Sequence, residues 1–84
     1  LLLAAIAVLM AACRPLPEPE SAGAQLYVDR CTSCHRAYQP GAMTYEMWRM
    51  VVGRMQGVIS RNGLPPLSED EVAVLLDYLR RNSS

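Results

Sequence analysis

The sequence predicts an all-α fold: three to four short helices in one small domain. Three observations predict it. Apolar residues recur three and four positions apart in stretches that open on Ser or Thr caps, the pattern of amphipathic helices. No β-α-β pattern is present. The chain has 84 residues and its first dozen are all apolar, which leaves about 70 for a domain that buries little surface and needs a disulfide, metal or cofactor to hold it. Eight basic residues, all Arg, balance eight acidic ones to a net charge of zero. A broad basic footprint is therefore excluded, and no nucleic-acid partner is expected.

Residues 1–12, from Leu1 to Ala12, match a signal-peptide h-region without its basic n-region, and are too short for a spanning helix. They stop at Cys13, behind Met10-Ala11-Ala12. Small residues before a Cys there resemble a bacterial lipobox, in which the thiol takes a diacylglyceryl group and becomes the new N-terminus. Met10, where Leu is usual, is a mild departure. The plainer reading is an ordinary small-residue cleavage site with Cys13 nearby by accident. Lipidation better explains a third cysteine in an exported protein. Residues 13–20 then form a tether, because three alternating prolines in Arg14-Pro15-Leu16-Pro17-Glu18-Pro19-Glu20 favour an extended polyproline strand.

Ser21 suits the N-cap of a helix from Ala22 to Arg30. Directly after it stands Cys31-Thr32-Ser33-Cys34-His35, a C-x-x-C-H pentad. This is the attachment signature of c-type haem, with two thiols for the vinyl groups and the adjacent imidazole for the iron. A zinc site wants a second Cys/His pair, and none is present. A redox dithiol wants a β-α-β setting, also missing. A structural disulfide leaves the position of His35, the single histidine, to accident. Haem attachment through Cys31, Cys34 and His35 is the reading.

From the pentad outward, residues 21–82 resemble a small monohaem class I cytochrome c. In that family a glycine lets the first helix cross closely over the last, with an aromatic packed beside it. Gly23 and Tyr27 stand one turn apart in the first helix, and Tyr78 is the matching aromatic in the last. The last helix opens on the capping box Ser68-Glu69-Asp70-Glu71 and carries the stripe Val72, Leu75, Leu76 and Leu79. The resemblance implies one covalent haem c. It also places the backbone acceptor for the proximal imidazole near Pro40 and Gly41.

An electron carrier of this kind needs a sixth iron ligand, usually a Met thioether. Many class I cytochromes carry it in a Met-Pro pair before the last helix, but here Leu64 precedes Pro65. Four methionines follow the pentad: Met43, Met47, Met50 and Met55. A helix capped by Thr44 gathers Trp48, Val51, Val52, Met55, Val58 and Ile59 on one face, with Met50 about 140° from Met55. The stretch from Trp48 to Met55 also resembles a W-x-x-x-V-x-x-M segment of small haem subunits serving periplasmic dehydrogenases. Met55 is the expected ligand; Met47, Met50 or an open sixth site are the alternatives, and a core-only role for Met55 is the plain one. Trp48 is expected to pack on the porphyrin or its propionates.

No carboxylate pair, Ser/His/Asp set or glycine-rich phosphate loop appears, so no enzyme is expected. The expected function is single-electron transfer with redox partner proteins, on the periplasmic side of a bacterial membrane and lipid-anchored through Cys13. The alternative is a gas-binding or sensing module with an open iron site.

Overall fold

The computed structural model describes residues 15–31 and 38–84. Cys13, Cys34, His35 and the apolar segment 1–12 lie outside the described residues. Among the described residues three α-helices follow one another: α1 (Ala22–Cys31), α2 (Tyr45–Arg61) and α3 (Glu69–Asn82), with a 3-10 turn (Pro40–Ala42) ahead of α2. The fold is all-helical, as the sequence predicts. No helix among the described residues is long and apolar enough to cross a membrane.

Each helix starts where its cap dictates. The Ser21 hydroxyl accepts from the Ala24 N–H at 3.1 Å, and Thr44 accepts from Met47 N–H at 3.3 Å. Ser68 and Glu71 exchange both bonds of a capping box, at 3.1 and 2.9 Å. Helix α2 ends in a Schellman motif. Gly63 there takes φ +76°, the Leu64 N–H donates to the Ile59 carbonyl, and the Gly63 N–H donates to that of Ser60.

Helices α1 and α3 cross at Gly23. A methyl group there would sit 2.2 Å from Tyr78 Cβ and 2.8 Å from Cγ, so only hydrogen fits. Around the crossing Ala24, Tyr27, Leu75, Tyr78 and Leu79 are buried. Arg30 closes its far end, pairing with Glu71 at 3.4 Å and donating to the Pro65 carbonyl. Helix α2 packs Trp48 and Val52 onto this pair. The Gln56 amide then pins the connection to α3 by bonding both the N–H and the carbonyl of Leu67, at 2.8 and 2.9 Å.

Residues 15–20 do not stand off as an extended spacer. Glu18 turns the chain at φ +47°, and Leu16 packs against the core. The buried Tyr78 needs an acceptor for its hydroxyl and finds the Pro17 carbonyl at 3.0 Å. Gln39 Nε2 donates to the Pro15 carbonyl at 3.2 Å, and Arg81 and Asn82 hold the Glu18 carboxylate at 3.0 and 2.7 Å. Packing therefore begins before residue 21. The prolines supply acceptors to a strap across the terminal helices.

Candidate functional site

Between the α1–α3 crossing and α2 lies a cavity of about 230 Å³. Its walls are Tyr27 and Cys31 from α1, Trp48, Val51, Val52 and Met55 from α2, and Leu79 from α3. Tyr38 and Met43 close the remaining side. These walls carry apolar surface, rings and sulfur, with no carboxylate or imidazole among the described lining residues.

The ring polar atoms are spent on backbone. The Tyr27 hydroxyl donates to the Tyr38 carbonyl at 2.8 Å, and Trp48 Nε1–H donates to the Pro40 carbonyl at 2.7 Å. The two rings meet edge to face, 5.8 Å between centroids at 86°. Burial pushes the Tyr27 hydroxyl pKa up to about 12, with the nearby Cys31 thiol adding to the effect, so the phenol stays neutral. The Trp48 N–H, bonded to Pro40, is not left for a propionate. Pro40 also accepts from the Met43 N–H at 3.4 Å. Both lone pairs of that carbonyl are thus engaged within the described residues.

Cys31, in the last turn of α1, is half-buried on the cavity wall. Burial raises its thiol pKa, against a smaller opposing effect of Arg30. Tyr38, seven residues on, is held to the same wall by Tyr27. Both ends of the stretch carrying Cys34 and His35 are therefore fixed at the cavity, although those two residues themselves lie outside the described residues.

The methionines sort cleanly. Met55 is half-buried and lines the cavity, while Met47 and Met50 are 50% and 70% exposed. Leu64, which precedes Pro65 ahead of α3, is exposed and is not among the lining residues. Met43 was not singled out by helical periodicity, because it precedes the Thr44 cap, yet it also lines the cavity. Tyr38 and Gln56 carried no sequence signal at all.

A thiol, two thioethers and aromatic walls around an apolar space make a donor set suited to a flat, apolar, iron-bearing group. The family of dihaem cytochromes c matches residues 27–84, more than half of the chain. The chain belongs to the dihaem cytochrome c family. This dihaem cytochrome c family member is thus a c-type cytochrome, which fits the C-x-x-C-H pentad of the sequence and the cavity that Cys31 lines. The family's name speaks of two haems, whereas these 84 residues contain one pentad. No curated protein and no solved structure matches.

Proposed function

We propose that this cytochrome is a single-electron carrier. It holds one haem c through Cys31, Cys34 and His35, with the Met55 thioether as sixth ligand. The observation that carries this reading is the apolar cavity whose walls bear both Cys31, from α1, and Met55, from α2. Bound there, haem supplies a one-electron iron couple. Leu79, Val51 and Val52 keep water from the site, and Tyr27 and Trp48 present rings instead of polar atoms. An apolar wall and a thioether both favour the reduced, less charged iron and so raise the potential. The proposed role is that of a carrier and not of an enzyme. We further propose that Cys13 carries a lipid anchor, on the periplasmic side of a bacterial membrane, and that the electron passes between redox partner proteins such as a dehydrogenase.

Denaturing mass spectrometry should show one haem of added mass, lost in Cys31→Ser/Cys34→Ser. The oxidised protein should show the far-red sulfur-to-iron band. Met55→Leu should lose that band and begin to bind carbon monoxide, while Met43→Leu, Met47→Leu and Met50→Leu keep it. Loss of the band in Met43→Leu alone moves the ligand to the other cavity methionine. A wild type without the band that binds carbon monoxide readily replaces the carrier reading with gas binding. Cys13→Ser should free the domain from the membrane fraction; a processed variant that stays bound refutes the anchor.

A further inference from the structure

Ion pairing is uneven over the described residues. Arg30 pairs with Glu71, Arg49 with Glu46 at 3.7 Å, Arg80 with Asp77 at 2.6 Å, and Arg81 with Glu18 at 3.0 Å. Arg54 and Arg61 are exposed on α2 and have no carboxylate partner among the described residues. Both share a face of α2 with Met47 and Met50: at about 100° per residue, the four lie within about 60° of one another. Met50, at 70%, is the most exposed large apolar side chain among the described residues. This face borders the cavity, because Val51, one turn from Met47, lines it. Tyr38, also on the lining, is 64% exposed, so the cavity reaches the surface there.

A merely solvated helix face has no need of two exposed thioethers followed by two guanidinium groups that have no carboxylate partner among the described residues. Met adapts its shape to irregular apolar surfaces, and Arg offers a planar fork for carboxylates. We infer that the Met47–Met50–Arg54–Arg61 face of α2 is the docking surface for an electron-transfer protein that presents carboxylates around an apolar patch. This inference rests on the electron-carrier reading. A membrane surface fits less well: two thioethers bury little area, and two Arg add only about 1 kcal/mol each at an anionic bilayer. A second copy fits less well too, since a twofold contact centred on Arg54, midway along this face, would set Arg54 against its own copy.

The test uses the holoprotein with a small acidic blue-copper protein as probe acceptor. Arg54→Glu/Arg61→Glu should slow its second-order reduction at low ionic strength by about 10-fold or more, and the difference should vanish at high salt. Arg80→Glu, whose guanidinium pairs within α3, should change the rate less than about 2-fold. Binding is read separately on methionine methyl groups: Met47 and Met50 should shift on adding the acidic protein, and Met55 should not. The inference is overturned if the double variant reacts and binds like the wild type. It is overturned equally if the same residues bind phosphatidylglycerol vesicles but not the acidic protein, or if sedimentation shows a dimer broken by Met50→Gln. If the holoprotein shows no reversible one-electron couple with a small neutral reductant, the carrier reading fails. The methyl shifts then judge the docking face by themselves.

Discussion

Gly23 tests whether the terminal-helix crossing holds the domain together. An added methyl would lie 2.2 Å from Tyr78 Cβ, 2.8 Å from its Cγ and 3.2 Å from the Val74 carbonyl oxygen. Carbon atoms rest at about 3.5–4.0 Å, so the helices must part by roughly 1.5 Å. The obstructing atom is a Cβ, fixed to its backbone, and cannot swing aside as a side-chain tip would. Leu75, Tyr78 and Leu79, all fully buried, lose contact together. Overpacking costs about 1–3 kcal/mol, and this site belongs at the upper end. Replacing Gly in a helix returns up to about 1 kcal/mol. The net cost for Gly23→Ala is about 2 kcal/mol, a melting temperature lower by about 8–16 °C in a domain of this size. The assay is thermal unfolding of the holoprotein followed by far-ultraviolet circular dichroism. Gly53→Ala is the matched control: it lies inside α2 with nothing within 4 Å of an added methyl, so it should hold or raise the melting temperature. A Gly23→Ala protein that melts at or above wild type, or two variants that shift alike, refutes the crossing argument.

Two further outcomes follow from the same contacts. Trp48→Phe removes the 2.7 Å bond to the Pro40 carbonyl and part of a cavity wall; it should cost about 1–2 kcal/mol, seen as a lower urea midpoint with unchanged slope, and an unchanged midpoint contradicts it. Glu18 is held below the ordinary carboxylate value by hydrogen bonds from Arg81 and then Asn82, and Glu71 chiefly by the Ser68 N–H. Folded-state values below the unfolded value mean that their contribution is present above about pH 4.5 and is lost as pH falls through the folded values. Glu18→Gln/Glu71→Gln should therefore flatten the acid limb of melting temperature against pH, and a variant that keeps the wild-type limb removes both groups from the explanation.

What was legible in the sequence was local. Ser21, Thr44 and Ser68 announce their helices because a cap acts within three residues. Gly23, Tyr27 and Tyr78 became interpretable only beside a family resemblance, since nothing in their spacing says that two helices 50 residues apart must touch. The phase of α2 was legible from periodicity, which is why Met55 separates from Met47 and Met50. Contacts that join distant backbone to side chains were not. Gln56 reads as a surface amide until Leu67 comes round to meet it, and Met43 sits outside any helical period. The proline strap was the largest departure. Alternating prolines do favour extension, but the turn at Glu18 and the Tyr78 hydroxyl, 61 positions on from Pro17, decide where the segment lies.

The cavity and the crossing divide the domain into parts with different dependences. The α1–α3 crossing is closed by Gly23, Tyr78, Leu75 and the strap, all within the polypeptide. Helix α2 meets that pair largely through cavity walls: Trp48, Val52, Val51 and Met55 face Tyr27, Cys31 and Leu79. Filling an apolar cavity of about 230 Å³ is worth up to about 5 kcal/mol at roughly 24 cal/mol per Å³. A domain of about 70 residues has only about 4–10 kcal/mol of stability in total. A group that occupies this space contributes at most on that scale, and it touches both sides of the seam between α2 and the α1–α3 pair. Cys31 lies at that seam, in the last turn of α1, so a bond made there joins the group to the α1–α3 pair. A thioether from Met55 would join it to α2. On the proposed attachment and ligation, Cys31 and Met55 would thereby also tie α2 to the crossing.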